Sequence, residues 1–136
     1  MIKKTITFVD YDDNERKEDF WFNLSKAELI EMQMSINGGL EKLLQQIVKT
    51  QDSKRLMELL KEIIMKAYGQ KSLDGRRFIK SRELSEEFVQ TEAYSELLTE
   101  LLSDADKAAA FINGIIPKAL ADEVAKHPEY TTMIEG

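Results

Sequence analysis

The chain contains no cysteine. Disulfide frameworks, cysteine zinc sites and thiol nucleophiles are excluded with it. A single histidine, His127, leaves no Ser-His or Cys-His catalytic pair in the body of the chain. No window of about 18 apolar residues occurs, so no membrane-spanning helix is expected. The lysines of the opening MIKKTITF precede no long apolar run, so the segment does not read as a signal peptide. GxGxxG, Walker A and HExxH patterns are missing. Positive charge is also in deficit. Lys plus Arg is 19 against 25 for Asp plus Glu, a net charge of −6. That balance opposes a general duplex DNA or RNA binder. What is present is 136 residues, 43% hydrophobic and 32% charged. This is too apolar for disorder and suits one domain with one core.

The first segment has a period of two. Ile2, Lys4, Ile6 and Phe8 share one face, and Lys3, Thr5, Thr7 and Val9 the other. A polar stretch over 10–17 follows, and then Phe20, Phe22 and Leu24 alternate with Asp19, Trp21 and Asn23. The pattern predicts an antiparallel hairpin with strands at about 2–9 and 18–23. An isolated hairpin is marginal in water, so its aromatic face must dock on helices or pair with another chain.

From Ser25 the period becomes helical. Ser25-Lys26-Ala27-Glu28 is a capping box, with Leu24 placed to staple onto Leu29. That helix stops at Asn37-Gly38-Gly39. A second carries Leu40, Leu43, Leu44, Ile47 and Val48. A third, capped by Asp52 or Ser53, carries Leu56, Leu59, Leu60, Ile63, Ile64 and Ala67 and ends at Gly69. Residues 70–81 read as a loop with an Asp74-Gly75 turn. Helices four and five follow Ser81 and Thr91, a sixth capped by Ser103 or Asp104 ends at Gly114, and Pro117 opens a last helix through Leu120 and Val124 that closes at His127-Pro128. The fold class is α+β: an N-terminal antiparallel β-hairpin followed by a mainly helical body of about six helices. The expected division is one domain, with the hairpin at 1–24, the body at 25–127 and a loose tail at 128–136.

No residue set carries catalysis. Asp10, Asp12 and Asn14 occupy positions 1, 3 and 5 of a calcium loop, but Glu15 stands where glycine is needed and Trp21 where a bidentate glutamate is needed. A solvated turn is the better reading, and neither metal nor cofactor is expected. Lys71, Arg76, Arg77, Lys80 and Arg82 form a basic cluster. It fits an acidic partner, but Glu83, Glu86 and Glu87 follow at once and can neutralise it. The apolar content says more. Adjacent pairs such as Leu43-Leu44, Leu59-Leu60, Ile63-Ile64, Leu97-Leu98 and Leu101-Leu102 widen the apolar arc of helices two, three and five. This fits burial in a bundle or a surface that binds other chains. Met32, Met34, Met57 and Met65 are either gap-fillers or adaptable binding groups.

One ordered series of segments spans about residues 2–121. It runs through Glu18-Asp19-Phe20-Trp21-Phe22-Asn23-Leu24-Ser25-Lys26-Ala27-Glu28-Leu29, Ile36-Asn37-Gly38-Gly39-Leu40 and Lys66-Ala67-Tyr68-Gly69. It continues through Asp74-Gly75-Arg76-Arg77-Phe78-Ile79-Lys80-Ser81, Thr91-Glu92-Ala93-Tyr94-Ser95-Glu96-Leu97 and Ala109-Ala110-Phe111-Ile112-Asn113-Gly114-Ile115-Ile116-Pro117. The series resembles the tail assembly chaperones of long, non-contractile-tailed phages (siphophages) and prophages of Gram-positive bacteria. The resemblance implies a non-enzymatic protein of the host bacterial cytoplasm. Such a protein binds the tape measure protein, a very long and largely helical chain, and keeps it soluble until tail tube protein polymerises around it. It also implies that this chain is the short form of a frameshifted pair, the longer form recruiting tail tube protein. The rival reading is a structural tail or head-tail connector component of the virion.

A soluble acidic helical chain suits a holdase, with client helices lying in apolar grooves. The expected partner-binding residues are Leu43, Ile47, Leu60, Ile64, Leu98 and Leu101, with Met57 and Met65 as adaptable neighbours. Arg76 and Arg77 are the alternative grip on acidic client or tube residues. A homo-oligomer is expected because the hairpin leaves strand edges. No nucleic acid and no membrane are expected as partners.

Overall fold

The computed structural model describes residues 1–115, leaving aside the side chains of Glu41, Val48, Ala105 and Ala109. The helix expected from Pro117, His127 at its end and the tail at 128–136 lie outside the described residues.

Alternating side chains and a tight turn build the N-terminal hairpin. β1 (Ile2–Val9) pairs antiparallel with β2 (Glu15–Phe22), from Ile2 opposite Phe22 to Val9 opposite Glu15. β2 therefore starts earlier than the aromatic run suggested. The turn needs only Asp10–Asn14, because the Asp10 carboxylate accepts the Asp12 and Asn14 N–H groups, both at 2.9 Å, and Asp13 takes a left-handed φ of 61°. The charged residues 15–17 then pair as strand while their side chains stay in solvent. Ile6, Phe8 and Phe22 are buried on the inner face, with Phe20 half-buried.

The helices are α1 (Lys26–Ser35), α2 (Gly39–Thr50), α3 (Ser53–Ala67), α4 (Arg82–Val89), α5 (Glu92–Ser103) and α6 (Ala105–Ile115). The capping box forms as the sequence predicts: Ser25 Oγ accepts the Glu28 N–H at 3.2 Å, and Glu28 Oε1 accepts the Ser25 N–H at 2.9 Å. Gly38 and Gly39 both have positive φ, 80° and 82°, which lets the chain reverse between α1 and α2. Asp52 caps α3 and Ser81 caps α4. α6 is described to Ile115, one residue past Gly114, and a Cβ on Gly114 would stand 2.9 Å from Ile2 Cδ1, so this glycine also allows close approach to β1.

Residues 70–81 are not a loop. β3 (Tyr68–Lys71) and β4 (Phe78–Ile79) form a second antiparallel hairpin, and the sheet order is β1-β2-β3-β4. β3 joins β2 through Trp21 opposite Gly69 and Phe22 opposite Tyr68. Gly69 is thus a strand residue beyond the end of α3. A Cβ there would lie 2.6 Å from the Phe78 ring and 2.8 Å from the Ile79 carbonyl oxygen. Strands of four and two residues are too short to show a period.

The hairpin's aromatic face docks on the helices. Phe22, with no exposed surface, sits 5.3 Å from the Phe111 ring, 5.6 Å from Phe88 and 5.8 Å from Tyr68, centroid to centroid. Tyr68 stacks on Phe88 at 4.6 Å. These rings join the sheet to α4 and α6, and Leu60, Ile63, Ile64, Leu97, Leu101 and Ile115 extend the same core. Ion pairs also cross elements: Lys4 Nζ meets Glu100 Oε1 at 3.3 Å, and Lys80 Nζ donates to Glu28 Oε1 at 2.7 Å and to the Asn23 carbonyl at 2.5 Å. The β4–α4 junction is thereby tied to the cap of α1.

Candidate interaction surface

The expected partner-binding residues separate into three depths. Ile47, Leu60, Ile64 and Leu101 are buried in the core. Leu43, Met65 and Leu98 are half-buried, and Met57 is 41% exposed. Arg76 and Arg77 are exposed. The wide arc of α3 faces inward because this helix packs on α2, α4 and α5 at once.

The apolar surface that sequence reasoning missed is on α1. Leu29 and Met32 are buried, and Ile36 just beyond the helix is half-buried. Ala27, Ile30 and Met34 recur at three- and four-residue spacing on the solvent side, with Ile30 and Met34 47% and 58% exposed. A helix apolar on two faces needs a partner on each. Its inner face packs mainly on α2, and the outer stripe meets solvent. The 27/30/34 spacing was readable beside 29/32/36, but the capping box drew attention to where the helix starts and away from its outer face.

The β3–β4 turn is a second projecting feature. Leu73 is fully exposed at its tip. The turn beneath is closed by hydrogen bonds: Gly75 N–H to the Ser72 carbonyl at 2.9 Å, Ser72 Oγ to Asp74 Oδ1 at 2.7 Å, Arg76 N–H to Asp74 Oδ1 at 3.0 Å and Arg77 N–H to Ser72 Oγ at 3.0 Å. The Arg76 N–H and the Ser72 hydroxyl hold the Asp74 carboxyl below its ordinary value. Gly75 supplies the left-handed φ of 71° that the turn requires. The basic cluster divides here. Lys80 pairs with Glu28, Arg82 with Glu86 at 2.9 Å, and Lys71 Nζ lies 5.1 Å from the Trp21 ring centroid. Arg76 and Arg77 have no side-chain partner among the described residues.

A cleft of about 490 Å³ opens between the β1–β2 turn and the α4–α5 junction, with Phe8, Tyr11, Asp10, Asp12, Arg16, Glu18, Glu87 and Glu92 among its lining. Asp10 and Arg16 satisfy each other. The Arg16 hydrogen bond, then the turn N–H groups, keep the Asp10 carboxyl below its ordinary value. Tyr11 Oη donates to Glu92 Oε1 at 3.0 Å, and that bond raises the phenol's pKa. The calcium-loop residues therefore serve the turn: Asp10 acts as its acceptor, and among the described residues no His/Asp/Glu group is arranged to hold a metal. No buried side-chain polar atom among the described residues lacks a hydrogen-bond partner, so nothing inside the core awaits a ligand. No described helix is long and apolar enough to cross a membrane. The described residues present an apolar stripe on α1, a projecting β3–β4 tip and an acidic cleft at the surface.

No curated protein and no solved structure matches this chain. A family model described as phage tail assembly chaperone matches residues 1–134, almost the whole sequence and both hairpins with all six described helices. The chain belongs to the phage tail assembly chaperone family.

Proposed function

We propose that this protein binds a helical segment of the tape measure protein and keeps that long chain soluble in the host bacterial cytoplasm while the tail is built, without catalysing a reaction. The observation that carries the reading is the unpartnered apolar stripe of α1, Ala27, Ile30 and Met34, on a helix whose other apolar face is already buried. An amphipathic client helix presents a matching stripe and can lie along it, its apolar residues spaced like those of α1. Exposed apolar surface framed by charge is the usual mark of an interaction site. Met57, Leu43, Met65 and Leu98 extend the proposed surface over the helical body. Ile47, Leu60, Ile64 and Leu101 stand behind it in the core and reach a client only where the helices part. The net charge of −6 keeps a chaperone–client complex dispersed. Binding of tail tube protein belongs, on this reading, to a longer frameshifted form.

The test is capture of tape measure fragments by the wild type and by Ile30→Glu/Met34→Glu. Both substituted side chains are exposed, so circular dichroism and melting should stay native. The reading expects captured fragment to drop at least about tenfold with the stripe charged, the scale of losing 1.4 kcal/mol of contact. Undiminished capture by the folded variant would place the client elsewhere.

A further inference from the structure

Two features described above are complementary, and the topology brings them to one end of the molecule. The first is the β3–β4 tip, an exposed leucine with two unpaired guanidinium groups on a turn already closed by hydrogen bonds. The second is the cleft under the β1–β2 turn, floored by the buried ring of Phe8 and carrying the carboxylates of Asp12, Glu18, Glu87 and Glu92. β2 runs from the β1–β2 turn at Glu15 to Phe22, and β3 starts opposite Phe22 and runs back antiparallel. Both turns therefore point toward the same end of the sheet. A two-fold axis through that end would offer the tip of each copy to the cleft of the other.

We propose that the protein forms a two-fold dimer in which Leu73 of each copy enters the cleft of its partner, and Arg76 and Arg77 meet the carboxylates around it. Charge complementarity selects the second copy as occupant. The Asp10–Arg16 pair neutralises itself, so four carboxylates face two guanidinium groups that have no side-chain partner among the described residues. The cleft's size falls within the range of about 300–1,000 Å³ typical of ligand sites and exceeds what one leucine side chain fills. An interface of this kind is isologous and closes at two copies. The hydrogen-bonded turn holds the tip in one conformation before contact, which removes ordering cost from association. Arginine–carboxylate pairs can be bidentate and so fix the register. The proposal stands apart from client binding on the α1 stripe, since the cleft is lined by the β1–β2 turn and the α4–α5 junction and α1 takes no part in it.

Light scattering after gel filtration tests it with reciprocal charge reversal. The wild type should run at about twice 15.7 kDa, weakening as salt screens the pairs. Arg76→Glu/Arg77→Glu and, separately, Glu18→Lys/Glu87→Lys should each run as a monomer, with native circular dichroism because all four side chains are exposed. Mixing the two variants should restore the two-chain mass. In that heterodimer both contacts become favourable, glutamate tip to lysine cleft and arginine tip to glutamate cleft. A wild type that stays monomeric at high concentration overturns the proposal. So does an Arg76/Arg77 variant that remains dimeric, or a mixture that stays monomeric.

Discussion

Replacing Glu28 by alanine removes an acceptor that serves two elements at once. Its Oε1 takes the Ser25 N–H at 2.9 Å, closing the capping box, and the Lys80 ammonium at 2.7 Å, fastening the β4–α4 junction. Loss of the box half costs about 1 kcal/mol. A hydrogen bond to a charged group contributes about 1.5–3 kcal/mol when shielded. Because the Glu28 side chain is 36% exposed, solvent screening brings that pair to about 1 kcal/mol. The expected total is about 2 kcal/mol, and at about 3–5 °C per kcal/mol for a domain of this size Tm falls by roughly 6–10 °C. Lys80→Met leaves the box intact but also removes the bond to the Asn23 carbonyl, so it should cost about 2 kcal/mol, and Ser25→Ala about 1 kcal/mol. The double variant Glu28→Ala/Lys80→Met should cost about 3 kcal/mol rather than the sum of about 4, because one contact is lost only once. The pH dependence follows from the carboxyl. Burial pushes its pKa up, but the Lys80 and Ser25 hydrogen bonds outweigh this and hold it below 4.5. A group with a depressed folded pKa stabilises fully above its unfolded value and stops doing so as pH falls through the folded one. The gap between wild type and Glu28→Gln should therefore be open at pH 7 and narrow as pH falls below the ordinary glutamate value of about 4.3. Denaturant melts of the five variants measure all of this. Additivity of the Glu28 and Lys80 costs to within about 0.3 kcal/mol would refute the shared-acceptor reasoning.

Phe22→Ala empties the centre of the aromatic cluster and should cost about 3–5 kcal/mol in denaturant unfolding; a loss under 1 kcal/mol would mean that the sheet does not rest on that ring. Gly69→Ala sets a methyl 2.8 Å from the Ile79 carbonyl oxygen, a backbone atom that cannot step aside cheaply, and should cost about 1–3 kcal/mol. Amide exchange should report the loosening first in β3 and β4. Leu73→Asp, at a fully exposed tip, should leave stability within about 0.5 kcal/mol of wild type while weakening self-association measured by light scattering.

The parts of the fold visible in the sequence are those with enough residues to show a period. β1, the capping box at Ser25, the glycine turn at Gly38-Gly39 and the apolar stripes of α2, α3 and α5 each follow a local rule, and each was placed closely. β3 and β4 escaped because their identity lies in pairing: Tyr68 and Gly69 become strand by bonding to β2, some 46 residues back in the chain. The tertiary roles of two glycines are hidden for the same reason, since the close approaches of Gly69 to Phe78 and of Gly114 to Ile2 involve residues distant in the chain. At the candidate surface, sequence reasoning named Arg76 and Arg77, which are exposed. It also named Leu60 and Ile64, which are interior, because an apolar stripe does not say which of its residues lie beneath another helix. It named Met34 as either a gap-filler or a binding group and passed over Ile30 and Leu73, whose meaning comes from being apolar where the fold leaves them uncovered.

The central claim is that this chain keeps a long helical client soluble, and the most direct measurement is the partition of tape measure protein between soluble and pelleted fractions when it is expressed alone and with this chain. The account predicts a client that pellets alone and shifts to the supernatant, co-purifying with the chaperone, when both are present. A client that pellets equally in both cases, or that is soluble by itself and ignores the chain, would contradict it.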